Sequence, residues 1–196
     1  MTRPQCVVIA GPNGAGKTSA APELLKDTVG VAAFVNADVI AEGLAAFRPE
    51  AVSVDAGRIM LKRIAALAEA REDFAFESTL SGKSVLRLLA RVSGLGYGVH
   101  LYYLWLPSPE LAVARVKRRV ALGGHDVAED VIRRRHARSL RHLGRLLEAG
   151  VNTWRLYDAS PEGPPRIVAF GAESQPTTVV DADRLADVRR QMEEIR

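Results

Sequence analysis

Short apolar runs alternate with helical patterns along this chain. Five of the runs are rich in Val, Ile, Tyr and Phe. They show no clean alternation with polar residues, which is typical of strands covered on both faces. They predict strands at residues 5–10, 34–36, 74–77, 99–106 and 153–158. A turn rich in Pro and Gly at residues 160–165 leads into a run that predicts a sixth strand at 166–170.

Helical patterns fill the segments between these strands. Residues 51–70 place apolar side chains at helical spacing, and Ser108-Pro109-Glu110 combines a capping hydroxyl, a proline in the first turn and an acid near the positive helix end. Residues 183–196 predict a terminal helix that docks through one apolar side. Strands that alternate with helices predict a three-layer α/β/α sandwich with a mainly parallel sheet of five to six strands.

Composition adds the size and the compartment. A chain of 196 residues with 47% hydrophobic and 26% charged residues predicts a single globular domain over residues 1–196. No apolar run approaches the roughly 20 residues that span a bilayer, and the short run at residues 6–10 does not resemble a signal peptide. One cysteine cannot form an internal disulfide, which fits a reducing compartment. We therefore expect a cytoplasmic protein that does not bind membranes.

The first strand leads directly into a phosphate-binding loop. The motif G-x-x-x-x-G-K-[ST] is matched in full by Gly11-Pro12-Asn13-Gly14-Ala15-Gly16-Lys17-Thr18. Its glycines let backbone N–H groups turn toward a phosphate, its lysine reaches the β- and γ-phosphate oxygens, and its threonine hydroxyl can bind Mg²⁺. The strand, loop and following helix predict a P-loop NTPase fold that binds a nucleoside triphosphate.

Two acids follow strands that should end at the same edge of the sheet. Asp38 lies just past the second strand, where its carboxylate could accept the proton of an attacking hydroxyl or could cap the next helix. Glu77 and Thr79 end the third strand and should face the same crevice, unless they serve a cap or a turn. The spacing alone leaves these alternatives open.

Positive charge is concentrated in one part of the chain. From Arg115 to Arg145, nine Arg and one Lys accompany three acids, which gives +7 in that segment and −3 in the remainder of a chain with net charge +4. Arginines on two helical patterns around Gly123-Gly124-His125 predict a lid at about residues 115–140 that closes over phosphates. The alternative is a solvated basic face, or a surface that holds a polyanion such as nucleic acid. Because the segment has no aromatic residues for base stacking, we do not expect nucleic acid as the partner.

These motifs, in this order, resemble the zeta-toxin family of P-loop kinases, in particular its short stand-alone branch of predicted ATPases. The resemblance covers roughly residues 5–160. Besides the P-loop it rests on Asn36-Ala37-Asp38, Phe76-Glu77-Ser78-Thr79-Leu80-Ser81-Gly82, Arg119-Val120 before Gly123-Gly124-His125, and Arg133-Arg134-Arg135. Ala159 stands where relatives tend to have Asn, so a side-chain role at that position is lost.

The resemblance implies ATP- and Mg²⁺-dependent phosphorylation of a hydroxyl, with UDP-N-acetylglucosamine as the acceptor. It implies that Asp38 is the general base, that Lys17 and Thr18 contact phosphate and metal, and that Glu77 and Thr79 contact the acceptor. Arg119 and Arg135 would be lid arginines, with Arg119 also binding ATP. It further implies a possible antitoxin partner. Another acceptor (a nucleoside, a sugar or an antibiotic) fits equally, and the alternative function is an ATP-binding switch that holds a polyanion.

Overall fold

The computed structural model describes residues 3–26, 33–45 and 49–195. The strands of this part of the chain are β1 Gln5–Ala10, β2 Ala33–Val35, β3 Phe74–Ser78, β4 Gly98–Trp105, β5 Thr153–Asp158, β6 Arg166–Ala172 and β7 Thr178–Val179. Its α-helices are α1 Lys17–Leu25, α2 Ala37–Leu44, α3 Ser53–Glu69, α4 Lys83–Gly94, α5 Pro109–Ala121, α6 Glu129–Ala149 and α7 Ala182–Glu194.

The strands form one sheet in the order β2-β3-β1-β4-β5-β6-β7. Strands β1 to β5 run parallel to one another, whereas β6 pairs antiparallel with both β5 and β7. The prediction of a mainly parallel sheet is therefore confirmed, but the predicted count of five to six strands is wrong because the described sheet has seven. The additional strand, β7, has only two residues, which is too short to produce a period in the sequence.

Helices cover both faces of the sheet. On one face, α3, α4, α6 and α7 bury a core around Ile64, Leu89, Leu143 and Val188. On the other face, α1 and α5 bury a second core that includes Val113. The three-layer sandwich predicted from the alternation of strands and helices is confirmed.

Two predicted helices differ slightly from the observed ones. The helix predicted at 51–70 begins at Ser53, because residues Pro49–Val52 form a 3₁₀ turn before it. The terminal helix begins at Ala182, directly after its cap Asp181, one residue earlier than predicted. It docks through one apolar side, as predicted, and buries Leu185 there. No helix of the described chain is both long enough and apolar enough to cross a membrane.

The topology assembles the candidate chemistry at one edge. Strands β1, β2 and β3 are parallel neighbours, so their carboxyl ends meet. The phosphate-binding loop follows β1, Asn36 follows β2, and Glu77 lies near the end of β3. This is the edge where open α/β sheets bind ligands.

Candidate active site

The glycines of the P-loop adopt conformations that other residues rarely reach. Gly11, Gly14 and Gly16 have φ angles of 146°, 78° and 76°. A Cβ atom on Gly11 would lie 2.3 Å from the carbonyl oxygen of Leu104, so no side chain fits there. Gly16 stands at the N-terminus of α1, whose free N–H groups and positive dipole favour an anion.

Lys17 lies buried in the first turn of α1. Its ammonium donates a 3.0 Å hydrogen bond to the carbonyl of Pro12 and lies 3.8 Å from Oε1 of Glu77. Burial lowers the pKa of Lys17, the carboxylates of Glu77 and Asp38 oppose that shift, and the guanidinium groups of Arg119 and Arg135 add to it. The charged side chains that the sequence predicts for the site therefore lie close enough to Lys17 to alter its pKa.

Glu77 connects three elements at the edge of the sheet. Its Oε2 atom accepts hydrogen bonds from the Thr18 hydroxyl at 2.7 Å and from the Asn36 amide at 2.8 Å. The sequence predicts Glu77 as an acceptor contact, whereas the structure places its carboxylate beside Lys17 and Thr18, the predicted phosphate and metal residues. Asn36 was not among the predicted site residues, although the resemblance includes it.

Asp38 is free of the capping role that the sequence left open. The cap of α2 is Asn36, whose Oδ1 accepts from the backbone N–H of Asp38 at 2.8 Å and of Val39 at 3.5 Å. The interpretation of Asp38 as the cap is therefore wrong, because a residue two positions earlier takes that place. The Asp38 side chain lines the cleft instead.

One cleft of about 770 Å³ collects these residues. Its lining includes the P-loop residues Asn13, Gly14, Gly16, Lys17 and Thr18 together with Arg115, Arg119 and Arg135. Residues of α3 and α4 form another part of its wall. Thr79 lies in the same cleft, with its hydroxyl 2.8 Å from that of Ser81. The structure thus brings Lys17, Thr18, Asp38, Glu77, Thr79, Arg119 and Arg135 around a single space.

Two arginines predicted to belong to a lid, Arg119 and Arg135, line the cleft from α5 and α6. Arg119 donates to the carbonyl of His125 at 2.6 Å, which ties the end of α5 to the segment between the helices. Arg135 is partly buried, and burial lowers its pKa while the Asp38 carboxylate opposes the shift. Both guanidinium groups are therefore held near the space between the P-loop and Asp38.

Several cations of the basic segment form ion pairs with nearby acids. The pairs made by side chains of α5 and α6 include Lys117–Glu129, Arg118–Glu162, Arg133–Glu110, Arg133–Glu129 and Arg134–Asp130. Other arginines of this segment, Arg119 and Arg135, line the cleft instead.

Arg115 is a site residue that the sequence does not single out. Its guanidinium donates to the backbone carbonyls of Ala159 at 2.7 Å, Ser160 at 2.8 Å, Pro161 at 3.3 Å and Gly14 at 3.5 Å. It borders the cleft and also a second cavity of about 500 Å³, which Gly16 lines as well. Its partners are backbone atoms distant in sequence, so no motif marks it.

Three unpaired polar atoms suggest what the cleft binds. Among the described residues, Oδ1 of Asn13, Nε of Arg119 and Nδ1 of His125 are buried without a hydrogen-bond partner. All three residues line the cleft. Buried polar atoms normally find partners, so these atoms favour a polar ligand. The positive-φ glycines, Lys17 and the unpaired Arg119 donor fit phosphate, and the oxygen atoms of Thr18 and Glu77 fit Mg²⁺.

Comparison with known proteins adds the family. The model of the Zeta toxin family matches residues 1–153. An uncharacterized protein of Haemophilus influenzae is 32% identical over 132 residues, which are 67% of this chain and 92% of that protein.

Solved structures share the fold at low identity. A structure of the PezAT chromosomal toxin-antitoxin system of Streptococcus pneumoniae matches with a TM-score of 0.63 and 16% identity, covering 100% of this chain and 88% of that one. The AvrRxo1-ORF1:-ORF2 complex with ATP matches with a TM-score of 0.65 and 18% identity, covering 95% of this chain and 63% of that one. The predicted resemblance and fold class are thereby confirmed.

Proposed function

This chain belongs to the zeta toxin family, and we propose that it is a kinase that transfers the γ-phosphoryl group of ATP to a hydroxyl of a small molecule. The observation that carries the proposal is the convergence of the P-loop, the Asp38 carboxylate and two lid arginines on one cleft. Phosphoryl transfer depends on positioning and electrostatic stabilisation, and these groups supply both.

The P-loop end of the cleft is proposed to bind the triphosphate. Backbone N–H groups at Gly14 and Gly16, the Lys17 ammonium and the unpaired Nε of Arg119 are donors for phosphate oxygens. The second cavity, which Gly16, Tyr157 and Pro164 line, suits the nucleoside part. Arg135 would add positive charge where the transferred group passes toward Asp38.

Thr18 and Glu77 are proposed to serve a Mg²⁺ ion. A hydroxyl and a carboxylate at 2.7 Å provide hard oxygen atoms next to the phosphate end of the cleft. Mg²⁺, when bound, neutralises phosphate charge during transfer. The chain's own part is to orient the Thr18 hydroxyl through Glu77 and to hold Glu77 through Asn36.

Asp38 is proposed to accept the proton of the acceptor hydroxyl. Its backbone is held by the Asn36 cap, and its carboxylate faces the cleft near Arg135. The family resemblance puts UDP-N-acetylglucosamine first among acceptors to test. One structural relative belongs to a toxin-antitoxin system and the other to a complex of two proteins. We therefore extend the proposal to a protein partner of the antitoxin kind.

The variant Asp38→Asn tests the proposal. It keeps the size of the side chain and removes the base, so ADP release that depends on an acceptor should fall by about 10²–10⁴-fold. The affinity for ATP should stay nearly unchanged, since Asp38 is not among the groups proposed to donate hydrogen bonds to the phosphates. Both quantities are measured with purified protein, by coupled ADP detection and by calorimetry.

Lys17→Ala provides the contrast. It should lose ATP affinity and turnover together, because Lys17 is proposed to bind the phosphates themselves. Normal turnover by Asp38→Asn would refute the base, and unchanged ATP affinity in Lys17→Ala would refute the phosphate site. Slow hydrolysis that no acceptor accelerates, together with tight binding of oligonucleotides that depends on lid arginines, would favour the switch instead.

A further inference from the structure

Part of the cleft is walled by α3 and α4. We call the residues of these two helices that line the cleft the acceptor wall. Its principal members are Val54, Gly57, Leu61, Val85 and Leu88. Val54 and Leu61 lie seven residues apart, on one face of α3, and are 67% and 37% exposed. Apolar side chains exposed inside a cleft favour contact with an apolar ligand surface.

Charge is scarce on this wall. Of the cleft-lining residues that α3 and α4 contribute within the described chain, Arg58 alone is charged, and its guanidinium lies 3.0 Å from Asp55. Hydroxyls at Ser53 and Ser84 are the other polar side chains there. A diphosphate bound against this wall would therefore find one cation that is already paired. The other cations that line the cleft belong to α1, α5 and α6 instead.

Gly57 points to a close approach of the acceptor. It lies inside α3, where glycine weakens a helix relative to alanine. The protein itself has no steric need for it, because a Cβ atom there would meet nothing within 4 Å, and its φ is not in the left-handed region. The space that a side chain would fill belongs to the cleft. The missing side chain therefore leaves room for a ligand rather than for the fold.

We infer that the acceptor is an uncharged alcohol with an apolar or aromatic face, which packs on the acceptor wall at Gly57. This inference rests on the proposed kinase function and departs from the sugar nucleotide that the family resemblance implies. The acceptor O–H bond is replaced by an O–P bond, its proton passes to Asp38, and the electron pair of the broken P–O bond leaves with ADP. Its apolar face lies against Val54, Leu61, Val85 and Leu88.

Matched acceptors that differ in charge test the inference. One pair is phenyl N-acetylglucosaminide and UDP-N-acetylglucosamine, and another is uridine and uridine 5′-monophosphate. Binding is measured by ligand-observed NMR on the full chain with a non-hydrolysable ATP analogue and Mg²⁺, and phosphorylation by ADP release with ATP. The neutral member of at least one pair should bind and react with a kcat/KM at least about tenfold above that of its charged counterpart.

Two glycine variants locate the contact. Gly57→Leu should abolish binding of the neutral acceptor and leave the affinity for ATP unchanged. Gly57→Ala should raise the Tm by about 1–3 °C and yet lower kcat/KM for the acceptor, a combination that a purely structural role does not produce. Gly43→Ala is the matched control: Gly43 lies in α2, a Cβ there also meets nothing within 4 Å, and it does not line the cleft.

The outcomes separate this inference from the function on which it rests. If neither neutral acceptor binds, if the charged members react faster, or if Gly57→Leu leaves binding intact, the inference is overturned while ATP binding that depends on Lys17 preserves the proposed function. If the wild-type chain binds no ATP, both fall. Preference for a neutral acceptor that Gly57→Leu removes supports the inference.

Discussion

The hydroxyl of Thr18 donates a 2.7 Å hydrogen bond to Oε2 of Glu77 and so joins the first turn of α1 to the end of β3. The same oxygen accepts from Asn36, the cap of α2. The other carboxylate oxygen lies 3.8 Å from the Lys17 ammonium. One side chain therefore orients the proposed metal residue, the phosphate lysine and the cap that holds Asp38.

Glu77→Gln should weaken catalysis through the metal. The amide keeps the shape and can still accept from Thr18, but it removes the negative charge beside the proposed Mg²⁺ site. We expect turnover to fall by about 10–100-fold and the Mg²⁺ concentration for half-maximal rate to rise. Glu162→Gln, at an exposed ion pair with Arg118, is the control and should change neither. An unaltered Mg²⁺ dependence in Glu77→Gln would contradict the metal role.

Arg119→Lys should separate shape from charge at the lid. Lysine keeps the positive charge but has neither the Nε donor that is unpaired in the cleft nor the second arm that binds the carbonyl of His125. We expect kcat to fall by about 10²–10³-fold. Arg118→Lys, one position away and paired with Glu162 on the surface, should retain activity. An undiminished kcat in Arg119→Lys would show that positive charge alone suffices at this position.

The fold was largely predictable because its central strands carry their own signal. The predicted bounds of the first five strands lie within one residue of β1 to β5 at either end, since these runs are apolar on both faces. The two-residue β7 carries no such signal. Pairing direction at β6 was equally out of reach, because it depends on how the chain returns after the turn at residues 160–165 rather than on the composition of the strand.

The site was predictable where its chemistry is local. The P-loop is set by spacing within eight residues, from Gly11 to Thr18. The role of Asp38 was open because Asn36 competes for the same cap, and only the observed hydrogen bonds decide between them. Glu77 lies beside Thr18 because β3 pairs with β1, and the sequence does not show which strands pair. Arg115 carries no signal at all, because its partners are carbonyl oxygens of residues near 160.

We expect Arg115 to act as a positioning residue, so Arg115→Ala should weaken nucleotide binding. The guanidinium links the carbonyl of Gly14 in the P-loop to those of Ala159 and Ser160, between the two cavities. Removing it leaves these carbonyls without their charged donor, so we expect a loss of about 1–3 kcal/mol in the free energy of unfolding. The KM for ATP should rise more than kcat falls, because binding geometry is affected rather than proton transfer.

Lys117→Ala is the control for Arg115→Ala, since it lies on the same helix with an exposed side chain paired to Glu129. Urea unfolding and initial-rate kinetics on both variants give the comparison. A drop in kcat at constant KM for ATP in Arg115→Ala would contradict a positioning role, and equal destabilisation by Lys117→Ala would reduce the effect to a general property of α5.

Two buried histidines on α6 should make the folded state sensitive to acid. The ring of His136 donates a hydrogen bond to the carbonyl of Leu106 at 3.0 Å, and the ring of His142 donates one to the carbonyl of Leu80 at 2.7 Å. Burial lowers the pKa of both below the ordinary 6.5, although each backbone bond opposes the shift. Below about pH 6.5 the unfolded chain therefore binds more protons than the folded chain, and stability present above that pH is lost as the pH falls.

The free energy of unfolding should accordingly decline from about pH 7.5 to pH 5.5, by at most about 1.4 kcal/mol per pH unit for each histidine. The double variant His136→Gln and His142→Asn retains a donor at each position and should flatten this decline. Part of it should persist, because burial also lowers the pKa of His100, which the variant keeps. Urea unfolding at the two pH values measures both proteins. An equal decline in the double variant would assign the acid sensitivity to other groups, since neither substituted side chain titrates in this range.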